Sequence, residues 1–177
     1  STANLTAALH MLRADTSRGL PAELTLDGGV HTIASVVFDQ AILASAVRLV
    51  GQAGTIVCPS DSATRRFFEL RAGAPRVELR HLTLHGAPLL VSGGSLVLHD
   101  CRFEACEAID GGALLITAGD VTAVRTVFTR NAAQRGGALF ASGGSLASFA
   151  GCTFVQNAAS ESGGAIAISG TADVTLS

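Results

Sequence analysis

The sequence predicts an all-β chain wound into a parallel β-helix, a solenoid of about six to seven coils with a short helix over its N-terminal end. Three observations carry that expectation. Markers recur at a fixed interval: Gly-Gly-Ala begins at Gly111, Gly136 and Gly163, and phenylalanines stand at Phe103, Phe128 and Phe154. The apolar segments between markers are very short and alternate with polar residues, as in Leu24-Thr25-Leu26, Val47-Arg48-Leu49, Val77-Glu78-Leu79, Leu82-Thr83-Leu84, Leu96-Val97-Leu98 and Val174-Thr175-Leu176. Alternation over three residues is the signature of a strand with one face turned inward, not of a helix. Glycine and serine clusters separate the triplets, and Ser-Gly-Gly-Ser-Leu occurs twice, at Ser92–Leu96 and Ser142–Leu146.

Each element of a coil follows from that period of about 25 residues. A residue one period on lies directly over its counterpart, so Phe103, Phe128 and Phe154 are expected to stack inside the winding. Three residues after each phenylalanine stand Cys106, Asn131 and Asn157, at a turn where side-chain amides can bond to one another and to the backbone. Gly-Gly is expected where a Cβ would clash or φ must be positive, with the following Ala turned inward. Arg80-His81 breaks the phase between two triplets and reads as a corner. Ser45 to Val57 reads as strand, glycine turn and strand. Ahead of the coils, Leu5, Ala8, Leu9 and Leu12 share one helical face, with Ser1 or Thr2 as N-cap and Gly19-Leu20-Pro21 as the stop. The chain is thus read as one β-helix domain over 1–177, with a cap helix in 1–14 and the most regular repeats in 101–177. No matching cap stands at Ala172–Ser177. The native protein is therefore expected to continue past Ser177, or a protein partner to cover that end.

Composition narrows the function. The chain has 177 residues, 48% hydrophobic but only 15% charged, against about 25% charged in typical domains. Its net charge of −2 gives no electrostatic case for nucleic acid. All 12 basic residues are Arg. No apolar run reaches the roughly 18 residues that a membrane-crossing helix needs, so no direct membrane insertion is expected. Trp and Tyr are absent, which removes the usual aromatic platforms for sugars; a glycan partner has no support. Cys58, Cys101, Cys106 and Cys152 fit no zinc spacing and read as small buried hydrophobes, with a Cys101–Cys106 disulfide left open.

The repeated motifs, GGAL at Gly111 and Gly136, GGAI at Gly163, FTRN at Phe128 and FVQN at Phe154, resemble the repeat of chlamydial polymorphic outer membrane proteins. FEAC at Phe103 departs from it, with Cys106 in place of Asn. The resemblance covers about 101–177; residues 24–86 look like the opening coils of pectate-lyase-like proteins. It implies a right-handed β-helix, and a role as an adhesive or scaffolding surface at the cell exterior.

A reaction centre is the competing expectation, because polysaccharide lyases and hydrolases share this architecture. Asp100, Glu104, Glu107 and Asp110 are the best carboxylate group, and Asp100 with Asp120 could span the distance glycoside hydrolysis requires. Arg125 and Arg130, about one coil on, point instead to ion pairing. His81, His85 and His99 read as turn or surface residues, Arg65-Arg66 as a solvated loop, and Asn4 opens a glycosylation sequon that matters only in a secreted eukaryotic protein. No catalytic, cofactor-binding or metal-ligating residue is assigned, and no cofactor. The leading expectation is a non-catalytic β-helix module of a larger surface or secreted protein that contacts protein partners. The others are a carbohydrate-active enzyme and a structural subunit of an intracellular assembly.

Overall fold

Short inward-alternating strands and tight corners build the whole winding. The structure is a computed structural model that describes residues 20–34, 36–39, 45–59 and 66–177. Among those residues there is no helix; the cap expected in 1–14 lies outside them. The first turn comprises β1 (Ala22–Leu26), β2 (Gly29–Ile33) and β3 (Val36–Phe38), and the second β4 (Ala46–Gly51), β5 (Thr55–Pro59) and β6 (Phe68–Leu70). The third contains β7 (Arg76–Arg80) and β8 (Thr83–His85) and closes with the first residues of β9 (Leu89–His99), which rounds a corner to open the fourth. β10 (Arg102–Glu104) and β11 (Leu114–Val124) repeat that device. The rest is β12 (Val127–Thr129), β13 (Ala132–Arg135), β14 (Leu139–Ala141), β15 (Leu146–Ala150), β16 (Thr153–Val155), β17 (Ala158–Ser162), β18 (Ile166–Ile168) and β19 (Asp173–Leu176).

Every strand pair is parallel, giving a β-solenoid of about six turns. One face runs β1, β4, β7, the second half of β9, the second half of β11, β15 and β19. A second face is the six-stranded sheet β2-β5-β8-β10-β12-β16. The third stacks β3, β6, the first halves of β9 and β11, β14 and β18. A smaller lateral sheet of β13 and β17 projects beside the later turns.

The core is a set of columns. Along the first face Leu24, Leu49, Leu79, Leu98, Ala123 and Phe149 lie in register, one per turn. On the second, Leu84, Phe103, Phe128 and Phe154 do. The three phenylalanines stack as expected: ring centroids are 5.1 Å apart for Phe103–Phe128 and 4.8 Å for Phe128–Phe154, with planes within 8°. Phe149 meets Phe128 edge-on at 6.0 Å, a favoured arrangement for a ring quadrupole.

Backbone conformations recur at the corners of the later turns. His81, Asp100 and Arg125 adopt positive φ of 54°, 53° and 47° at one corner, and Ala105, Arg130 and Gln156 at the next. The first glycine of each Gly-Gly-Ala is also left-handed, at φ 58°, 61° and 63°. A Cβ on Gly136 would stand 2.0 Å from the Leu139 carbonyl oxygen, so only glycine fits. Asn131 and Asn157 form the expected ladder. Asn131 accepts from the Cys106 amide at 3.0 Å and donates to the Phe103 carbonyl at 3.2 Å and to Asn157 Oδ1 at 3.0 Å. Asn157 in turn accepts from the Asn131 amide at 3.0 Å and donates to the Phe128 carbonyl at 2.9 Å.

Cys101 and Cys106 are not joined. Both thiols are free and buried, at successive corners. Cys101 donates to the Leu79 and His99 carbonyls, each at 3.4 Å, and Cys106 to those of Glu104 and Leu84 at 3.6 and 3.8 Å. Burial pushes both thiols up to about 12, so they stay protonated as donors.

Candidate functional site

Of the acidic group singled out by sequence, Asp100, Glu104 and Asp110 on the outside of the fourth turn each meet an arginine of the turn stacked on it. Asp100 takes a two-point pair from Arg125, Nε and Nη2 donating at 2.7 and 2.8 Å. Asp110 is held in the same way by Arg135, at 2.7 Å twice. Glu104 accepts from Arg102 Nε at 3.1 Å and contacts Arg130 Nη2. Forked guanidinium–carboxylate contact of this kind is the strong form of the interaction. Asp120 does not join Asp100, because its register partners are Ser95 and Leu146. Hydrogen bonds from Arg125 hold the Asp100 carboxyl below the usual range, against its burial and with help from the charges on Arg125, His81 and His99. A general acid for glycosidic cleavage needs the reverse shift. The arrangement therefore ties one turn to the next.

Two histidines lie at the margin of these pairs. His81 Nδ1 lies 4.0 Å from Asp100 Oδ2, and His99 Nε2 lies 3.9 Å from Glu78 Oε1. His85 ends β8 and is exposed. The described histidines, cysteines and carboxylates form no group of three or more that could hold a metal ion.

Two features escaped the sequence. The first centres on Glu78, which faces outward from β7 yet is only 5% exposed. Arg48 Nε donates to its Oε2 at 2.9 Å and Arg80 Nε to its Oε1 at 2.7 Å. Burial pushes this carboxyl up, but the two arginines outweigh it and leave it below its ordinary value. Arg48 lies one turn earlier in exact register with Glu78 and also reaches Glu23, at 3.9 Å. The spacing between Arg48 and Glu78 is off the 25-residue period, which hid the pairing.

The second is a groove of about 870 Å³ where the lateral sheet overhangs the third face. Glu107, Ile109 and Asp110 line it, together with Arg66, Pro88 and Leu115. That volume lies within the range of ligand clefts. Glu107 and Arg66 make no ion pair among the described residues, and Ile109 is 67% exposed. Its residues come from separate turns, so no single motif announces it.

The architecture defines the chain as a parallel β-solenoid of short glycine-rich repeats, with several of its carboxylates engaged by arginine. The family model of the Chlamydia polymorphic membrane protein repeat matches residues 151–169, the span that holds Phe154, Asn157 and the last Gly-Gly-Ala. No curated protein and no solved structure matches the chain significantly. Fold and repeat together fit a repeat module of a surface protein.

Proposed function

We propose that the chain is a non-catalytic module of a larger surface or secreted protein, a rigid spacer whose outer faces make contact with other proteins. The observation that supports it is the matched repeat at 151–169, in register with the turns stacked before it. Parallel stacking fixes outward side chains at about 4.8 Å intervals along the axis, a regular surface suited to protein contact. The outer carboxylates contribute to that rigidity. Clamped by Arg125 and Arg135, Asp100 and Asp110 are poorly placed to shuttle protons.

The test is display of the native and the heat-unfolded chain on beads, with cells and extracellular matrix proteins as the binding partners. The native chain alone should be retained at the surface. Protease shaving of intact source cells should release the protein if it lies outside. Release of reducing ends or unsaturated products from polysaccharides, abolished by Asp100→Ala or Asp110→Ala, would overturn the reading in favour of an enzyme. Capture only by proteins of an intracellular assembly would overturn the surface assignment.

A further inference from the structure

We propose that the groove beside the lateral sheet receives an extended segment of a partner protein, which adds as a strand along residues 107–110. The inference rests on the protein-contact reading above and assigns it a site. Residues 107–110 form a first row beneath β13 and β17, with bridges from Glu107 to Ala132 and from Asp110 to Arg135. Every backbone bond of that row runs toward β13. The Ala108 amide donates to the Ala132 carbonyl at 3.2 Å, and the Gly111 amide to that of Arg135 at 3.0 Å. In return the Gln134 amide donates to the Ile109 carbonyl at 2.9 Å. The amides of Glu107 and Asp110 point to the other side, and with that of Ile109 they reach no backbone acceptor among the described residues. Among the described residues this is an unpaired strand edge, a template for another chain.

The edge exists because the turn before it is short there. Only Gly86, Ala87 and Pro88 separate β8 from β9, whereas residues 105–113 separate β10 from β11. The third turn thus supplies no row of its own under 107–110, and the groove occupies the place. Among the described residues, the backbone of its floor does not compete for the edge. The Gly86 amide is committed to the Glu104 carbonyl at 3.1 Å, Pro88 has no N–H, and the Pro88 carbonyl already accepts from the Phe67 amide at 3.0 Å.

The lining states what the occupant must carry. An added strand lies about 4.8 Å from its neighbour and obtains affinity from main-chain bonds and selectivity from alternate side chains. Exposed Ile109 and half-buried Leu115 call for an apolar residue between them. Glu107 calls for a basic residue and Arg66 for an acidic one, while Asp110 is already matched by Arg135. The groove therefore fits an extended peptide with an apolar residue flanked by opposite charges.

The test is selection of phage-displayed random heptapeptides on the purified 177-residue chain, followed by binding of the synthetic winners to three proteins: the parent, Ile109→Pro and Glu107→Arg. Ile109→Pro deletes an amide of the row that has no backbone acceptor among the described residues and leaves the Ile109 carbonyl in place, and circular dichroism reports whether it folds. Expected are winners of the stated pattern that lose at least tenfold in affinity for Ile109→Pro. Glu107→Arg should lose them equally and select an acidic residue where the parent selects a basic one. The amides of Glu107, Ile109 and Asp110 should exchange fast in the free protein and slow tenfold or more with peptide. Failure to select any peptide would overturn the proposal, as would winners that bind all three proteins within twofold. Protection of those amides without peptide would mean that the chain itself or a second copy fills the groove, which also overturns it. If Ile109→Pro does not fold, Glu107→Arg decides alone. Retention of partner proteins by both variants at parental strength would sink this site and leave the protein-contact reading standing.

Discussion

At the scale of single residues, the fold is held by side chains that meet their own counterparts. Phe128 is fully buried with a ring on each flat side and a third at its edge. Phe128→Ala empties the middle of that row and should cost about 3–5 kcal/mol in denaturant titration; a loss under about 1 kcal/mol would show that the row carries no load. Cys106 offers the converse. It occupies the place that Asn131 and Asn157 hold in the next two turns, with its thiol 3.8 Å from the Leu84 carbonyl. An amide there would meet that carbonyl as Asn131 meets Phe103 and Asn157 meets Phe128. Its NH₂ would also face Asn131 Oδ1, repeating the bond between Asn131 and Asn157. Cys106→Asn should therefore raise stability by about 0.5–1.5 kcal/mol, the usual net gain of one good hydrogen bond. A fall in melting temperature would show that the Leu84 corner has no room for the larger group.

At the scale of elements, parallel strands bring outward charges into line as reliably as inward rings. On the first face, β4 sets Arg48 against Glu78 of β7, and Arg80 completes the clamp. The arginines lower the Glu78 carboxyl below its ordinary 4.5, so the folded state binds its proton less readily than the unfolded chain does. The clamp's stabilisation is thus complete above about pH 4.5 and is lost as pH falls through the lower folded value. Glu78→Gln should cost about 1–3 kcal/mol at pH 7, and the gap from the parent should close toward pH 3. A gap of equal size at both values would mean that the charge contributes nothing. The same elements show what a sequence discloses. The phenylalanine stack, the asparagine ladder, the left-handed Gly-Gly corners and the arginines over Asp100 and Glu104 were all legible, because each recurs at a constant spacing. The Glu78 clamp and the groove were not. Stacking fixes which strand residues coincide but leaves corner length free, and the clamp and groove both arise where that length changes. The Cys101–Cys106 disulfide that the sequence left open is not formed, because the two thiols occupy successive corners. Asp120 misses Asp100 because the register there advances by 25 residues and brings Arg125 over it instead.

Across the whole molecule, the register from Ala22 through Val47, Val77, Leu96, Val121, Ala147 and Val174 advances by 25, 30, 19, 25, 26 and 27 residues. Strands repeat strictly and corners do not, so the turns contact only their neighbours and stability is close to a sum over interfaces. A turn with neighbours on both sides has two such interfaces, and a turn at an end of the stack has one. Burial follows that rule. Inward residues of β7, β9 and β11 such as Leu79, Leu98 and Ile116 are fully buried, whereas Phe154, Ile166 and Val174 of the last turn are only partly covered. In the 177-residue chain taken alone, local opening should therefore begin at the turn of β16 to β19. Native-state hydrogen exchange followed by NMR should show the amides of β16, β18 and β19 exchanging at least tenfold faster than those of β9 and β11, with β14 and β15 between them. Low denaturant should bring β14 and β15 toward the fast class before β9 and β11 respond. A single exchange free energy shared by all these strands would mean that the turns unfold as one cooperative block. It would contradict a stack held together chiefly by contact between neighbouring turns.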